Sequence, residues 1–301
     1  MPINATTPRL YGPYGRNALD SIDQFAGCGA NACWFHMFDA TAFDLCARHR
    51  IAACVEFKTF RADFAAHPEL TPTGIDGKPI RYGQLVQGVC LSQTDFLAEI
   101  ENQLQAGLRT YRPAGIWLDY LTYAGWFETP TPDLQESCFC RACIADFCTA
   151  QKVDATTPAE ILGRYPLRWT RHKCERVARL SLHYANLIRT SLPACLIGAY
   201  FCPWLPAEFD GALSRIFAQD YQLLAPAVDL FTPLIYAQKS GRPPSWGRDF
   251  LAASPEFVPA GYPVQLILDA LDLPENLATV GEAQPPSWDL QLFGGATLFA
   301  N

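Results

Sequence analysis

Cys138-Phe-Cys140-Arg-Ala-Cys143 is the most specific chemical signal in the chain. Thiolates at i, i+2 and i+5 can converge on one ion through a tight turn, and tetrahedral Zn2+ favours such soft ligands. Nothing in this short polar loop calls for three small apolar side chains as packing. A closed structural zinc site needs a fourth ligand. Cys90, ending an apolar segment ahead of a helix, is the first candidate and Cys148 the second. Three sulfurs with an open water position would instead make the zinc catalytic. The remaining thiols, Cys28, Cys33, Cys46, Cys54, Cys174, Cys195 and Cys202, sit in apolar contexts and read as small core residues.

Carboxylates form the second group. Asp119 follows the apolar run Ile116-Trp117-Leu118, which marks a buried strand with Asp119 at its end. Glu56 and Lys58 stand two apart on a strand and so point to one face; an ion pair between them is the plain alternative to a catalytic role. Asp220 opens a helix, where it either caps the N-terminus or completes a catalytic pair. Asp269 ends a strand, with a turn role equally open. Asp229 starts its strand and falls at the wrong end. His36 ends a strand without a partner at metal-binding spacing, so it reads as a hydrogen-bonded or sugar-contacting residue.

The elements that must position these residues alternate as apolar run, turn and amphipathic stretch. Expected strands are Arg9 to Tyr14, Ala32 to Met37, Ile51 to Thr59, Gly115 to Tyr120, Cys195 to Pro203, Val228 to Tyr236, Pro263 to Ala270 and Gly295 to Ala300. Expected helices are Ala40 to Arg48 with Thr41 near its start, Thr94 to Arg109, Pro158 to Ser191 interrupted near Pro166, and Ala212 to Leu224. Near-continuous apolar runs suit strands buried on both faces. Eight such strands alternating with helices over 301 residues is the arithmetic of an α/β fold, a single (β/α)8 TIM barrel spanning 1–301. Loop insertions are expected after the third strand (Arg61 to Gly88) and after the fourth (about 123–158), the latter carrying the cysteines. Chemistry in such a barrel sits at the C-terminal strand ends.

Composition narrows the partners. The chain is 50% hydrophobic and 18% charged, so it can bury a large core, and its net charge of -7 comes without basic clusters. Neither nucleic acid nor a membrane is expected as a partner, and no apolar stretch is long enough to span a bilayer. Twelve cysteines, with no secretory signal at the N-terminus, suggest reduced thiols and a cytoplasmic protein. Aromatics, 13% of the chain, fall at many expected strand ends and loops: Tyr11, Tyr14, Trp34, Tyr120, Tyr123, Trp126, Tyr200, Trp204, Tyr236 and Trp246. Sugar C–H faces stack on such rings, which suits carbohydrate. No nucleophile elbow, phosphate loop or dinucleotide fingerprint is present.

A lone cysteine before a helix, then a strand bearing an acid, then Cys-x-Cys-x-x-Cys resembles the zinc cluster of family 42 glycoside hydrolases, the bacterial β-galactosidases. The likeness covers about Cys90 to Phe147 and implies Cys90, Cys138, Cys140 and Cys143 as ligands of a structural zinc. Gly115-Ile-Trp-Leu-Asp-Tyr120, Gln219-Asp-Tyr221 and Val228-Asp-Leu-Phe-Thr-Pro-Leu-Ile-Tyr236 resemble a broader set of glycosyl-hydrolase barrels of unassigned specificity. That resemblance implies a barrel acting on carbohydrate. Family 42 carries Asn-Glu at the end of strand four, whereas this chain has Leu118-Asp119-Tyr120. An Asp there resembles the nucleophile position of α-galactosidase-like barrels, although their preceding Lys is absent.

The leading expectation is therefore a glycoside hydrolase with a structural zinc and catalytic carboxylates among Asp119, Glu56 and Asp220. His36, Lys58, Tyr120, Tyr200, Trp204, Tyr236 and Asp269 are the expected substrate-binding residues. A zinc-dependent enzyme and a barrel that binds sugar without cleaving it are the alternatives. Self-association into a homo-oligomer is open on this reading.

Overall fold

The computed structural model describes residues 10–15, 18–80, 88–272 and 290–294. Eight strands run parallel and close in chain order: β1 (Gly12–Tyr14), β2 (Ala32–His36), β3 (Ala52–Lys58), β4 (Gly115–Asp119), β5 (Leu196–Phe201), β6 (Leu230–Ile235), β7 (Ile267–Asp269) and β8 (Gln291–Phe293). The ring shuts where Tyr14 pairs with Phe293. Around it lie α1 (Ile22–Gly27), α2 (Ala40–His49), α3 (Thr94–Thr110), α4 (Arg141–Gln151), α5 (Pro158–Arg164), α6 (Pro166–Ser191), α7 (Glu208–Arg215), α8 (Tyr221–Leu224) and α9 (Trp246–Ala253). The molecule is a (β/α)8 barrel. The stretch joining β3 to α3 and the cysteine-bearing stretch after β4 both lie on the C-terminal side of their strands, where loops build sites.

Two features explain why the strands fit. Their residues are buried on both faces, as a parallel sheet wrapped by helices requires. Large interior side chains then need small ones opposite. Trp117 and Trp34 meet edge to face at 5.2 Å, and Gly198 on β5 leaves the Trp117 indole its room.

Several boundaries depart from the sequence expectation. The eighth expected strand, Gly295 to Ala300, lies outside the described residues; β8 is the preceding Gln-Leu-Phe, which ends at Gly294 with φ 68°. The expected helix from Ala212 to Leu224 is two helices, because Ala218 turns left-handed at φ 57° and Asp220 caps a new start. α2 is capped by Asp39, which accepts from the Ala42 N–H at 2.7 Å. The cysteine loop contains a helix of its own, α4. The interruption near Pro166 is found as the break between α5 and α6. Among the described residues no helix is long and apolar enough to cross a membrane.

Candidate active site and thiol cluster

Parallel register brings the polar strand ends together. His36 pairs in register with Glu56, and Lys58 with Asp119, so three neighbouring strands deliver four ionisable groups to one rim. Immediately beyond β2 and β4 the chain turns sharply: Met37 and Tyr120 adopt left-handed φ of 58° and 57°. Such conformations cost non-glycine residues about 1–3 kcal/mol and cluster at functional sites. The turn at Tyr120 aims its N–H at Asp119 Oδ1, 2.8 Å away.

These groups line a cavity of about 320 Å3. Glu56 is almost wholly buried, yet His36 Nδ1 contacts its Oε2 and Lys58 Nζ lies 3.6 Å from its Oε1. Burial pushes Glu56 up, but the His36 and Lys58 contacts outweigh it and hold the acid below its ordinary value. Asp119 behaves oppositely. Burial and the neighbouring Glu56 charge push it well up, and the two carboxyl groups lie within hydrogen-bonding reach. Two carboxylates that close cannot both ionise readily, so the pair carries one proton and one negative charge.

A third acid shares the cavity and was missed in the sequence. Glu128, in the loop after β4, is pushed up to about 7 by burial, with Lys239 partly opposing and Asp269 adding to the rise. The available signal was its context, Trp126-Phe127-Glu128, where aromatic neighbours strip water from a carboxyl. Lys239, also missed, lies 2.8 Å from Asp269 Oδ2 and sits over the rings of Tyr236 and Phe293, 4.6 and 4.4 Å from their centroids. Tyr14, Tyr200, Tyr236 and Phe293 make a continuous aromatic wall, with centroids 5.2 to 5.6 Å apart.

The expected residues therefore divide. Asp119, Glu56, His36, Lys58, Tyr120, Tyr200 and Tyr236 converge on the cavity. Asp269 is held beside it through Lys239. Asp220 does not line the cavity; its side chain caps α8, accepting from the Leu223 N–H at 3.0 Å, so the helix-capping alternative holds for it. Trp204 is also absent from the lining. It is fully buried, packed against Phe209 and Phe217 at 4.3 and 5.4 Å. Asp229 sits before β6, bound to Arg189 and the Ile197 N–H, at the opposite end as expected.

The thiol cluster forms apart from these acids. Cys90, Cys138, Cys140 and Cys143 place all four sulfurs within 4.8 Å of one another, and together they could hold a metal ion. Cys140 opens α4, and its sulfur accepts from the Cys143 N–H; the Thr73 N–H points at Cys138 from 3.2 Å. Glu136, two residues ahead of Cys138, is pinned by Lys173 Nζ at 2.8 Å and Arg215 at 3.2 Å, and Phe139 stacks on Trp169. Cys148 is not part of the group; it donates to the Ala155 carbonyl. All twelve cysteines are free thiols.

No protein-family model matches the sequence, and no curated protein matches it. Solved structures do. The chain is similar to the glycoside hydrolase domain of PgaB (BpsB) from Bordetella bronchiseptica, with TM-score 0.70 and 10% identity over 98% of this chain and 96% of that one. It is also similar to β-galactosidases from Rahnella sp. R3 (TM-score 0.68, 13% identity, 96% of this chain and 51% of that one) and from the haloarchaeon Halorubrum lacusprofundi (TM-score 0.66, 12% identity, 95% and 52%). The chain spans about half the length of these two β-galactosidases. At such identities the likeness is one of fold, a barrel shared with glycoside hydrolases.

Proposed function

We propose that the protein is a glycoside hydrolase in which Glu128 is the general acid and the Glu56–Asp119 pair supplies the anion. One observation carries the reading: a single aromatic-walled cavity holds a carboxyl that keeps its proton to about 7 and a carboxyl pair that keeps a negative charge. Glycoside hydrolysis needs those two states flanking the sugar, with the groups about 5 Å or more apart. Glu56 and Asp119 are too close to be the two partners, so they work as one unit. Glu128 donates its proton to the glycosidic oxygen as the C–O bond breaks. Asp119 faces the developing positive charge as carboxylate, its former proton resting on Glu56. Water then supplies the hydroxyl to the sugar and returns a proton to the enzyme. Tyr14, Tyr200 and Tyr236 offer ring faces for the sugar, while Lys58 and His36 hold Glu56 ionised at rest, before it takes the Asp119 proton.

The four-cysteine group fits a structural zinc. Zn–S bonds of about 2.3 Å put tetrahedral sulfurs about 3.8 Å apart, and Cys90 lies 3.7 Å from both Cys140 and Cys143. Four sulfurs leave no open position, so zinc would brace the loop after β4 and take no part in the reaction. Free thiols suit a reducing compartment such as the cytoplasm, and the net charge of -7 suits a carbohydrate partner better than nucleic acid or an anionic membrane.

The test is a panel of aryl glycosides of both anomers. At least one should be cleaved, and Asp119→Asn should lower kcat by about a thousandfold or more while circular dichroism stays unchanged. A folded Asp119→Asn enzyme that keeps most of its activity would sink the assignment.

A further inference from the structure

We infer that a groove between the β3 exit and α3 is a subsite for further sugar residues, so that the substrate is an oligosaccharide without anionic groups and not a single terminal ring. The inference rests on the hydrolase reading and specifies its substrate. The reaction cavity, at about 320 Å3, lies at the small end of ligand pockets, whereas the neighbouring groove measures about 610 Å3. Lys58 lines both. Arg61, in the groove wall, lies over the ring of Tyr120, in the cavity wall, at 5.7 Å. The two spaces are therefore adjoining compartments sharing one partition.

The groove carries the chemistry of a sugar site. Phe96, Glu99 and Gln103 stand at i, i+3 and i+7 on α3 and so share one helical face. That face offers a half-buried ring for C–H contact beside a carboxylate and an amide for hydroxyls. Arg61 Nε, opposite, is buried and has no hydrogen-bond partner among the described residues. Arg61 itself lines the groove, where its guanidinium can donate to sugar hydroxyls. Charge selects among sugars. Asp63, Glu69, Asp95 and Glu99 outnumber Lys58 and Arg61, so the groove disfavours uronates and sulfated rings.

The experiment measures kcat/KM for the full chain on aryl monoglycosides and on cello-, malto- and galacto-oligosaccharides of two to six rings. One series should gain about tenfold or more between two rings and four, because remote binding energy lowers the barrier at the reacting bond. Phe96→Ala and Arg61→Ala should abolish the gain. Gln105→Ala, on the far face of α3, should keep it. Turnover of aryl glycosides without any gain over length would overturn the subsite and leave the hydrolase reading standing. An equal gain on oligogalacturonates would overturn the exclusion of anionic sugars. If no glycoside is cleaved, the hydrolase reading fails, and calorimetric titration with the same oligosaccharides judges the groove. Affinity that rises with length and is lost in Phe96→Ala upholds it; flat affinity overturns it.

Discussion

Glu56 and Asp119 meet carboxyl to carboxyl across the β3–β4 seam, the first held below its ordinary value by His36 and Lys58 and the second pushed well above it by burial and by Glu56. The arrangement follows from register. Glu56 stands opposite Trp117 and Lys58 opposite Asp119, so Glu56 and Asp119 lie diagonally on adjacent strands. His36, in register with Glu56 on the other side, supplies the contact that makes Glu56 the charged member. Asp119 is thereby kept next to an acceptor that can take its proton when a positive centre forms beside it.

Lys58 helps to hold that charge, which sets a pH dependence. Its cation lowers both acids. Lys58→Met should therefore move the acid limb of the kcat/KM profile to higher pH, since the pair must then ionise without its neighbour. A limb that stays in place or moves down would show that Lys58 does not tune the pair.

Glu128 sets the other limb. As an acid with a value of about 7, it should make kcat/KM fall about tenfold per pH unit above that point. Glu128→Gln should remove the limb along with most activity on poor leaving groups. Lys239→Met should shift it upward, because Lys239 opposes the rise. Stability follows the same sign. The native state holds the Glu128 proton between the ordinary value of 4.5 and about 7, so its contribution weakens as pH rises through that window. Urea midpoints of wild type and Glu128→Gln across pH 4 to 8 would check this: the slope should be shallower in the variant.

Metal content tests the thiol cluster. Purified protein should carry about one zinc per chain, and Cys140→Ser should lose it with a fall in melting temperature. Zinc release on titration should begin as pH falls, because the ligands must be thiolates. Metal-free protein that melts unchanged would refute a bracing role.

Gly198 probes the interior independently of chemistry. A Cβ there would lie 2.3 Å from the Trp117 indole nitrogen, which donates to Thr232 at 2.8 Å inside the closed barrel. Gly198→Ala should cost about 1–3 kcal/mol by overpacking, read as a lower midpoint of chemical denaturation. A neutral result would mean that the indole can shift.

The barrel was legible in the sequence because it depends on periodicity: runs such as Ile116-Trp117-Leu118 suit strands buried on both faces, and seven of the expected strands overlap β1 to β7, while β8 precedes the expected Gly295 to Ala300. The same logic put Asp119 at the mouth and Asp229 at the opposite end, and cysteine spacing singled out Cys138, Cys140 and Cys143. Local sequence alone did not decide which acids meet. Asp220 and Glu128 both sit in loop-bounded contexts, yet one caps a four-residue helix and the other is stripped of water against a cavity wall. Burial and neighbouring charge come from residues distant in the chain, Lys239 and Asp269 for Glu128 and His36 for Glu56, so proton affinity is a property of the folded rim. Closure of the barrel assembled that rim; the order of residues along the chain only made it available.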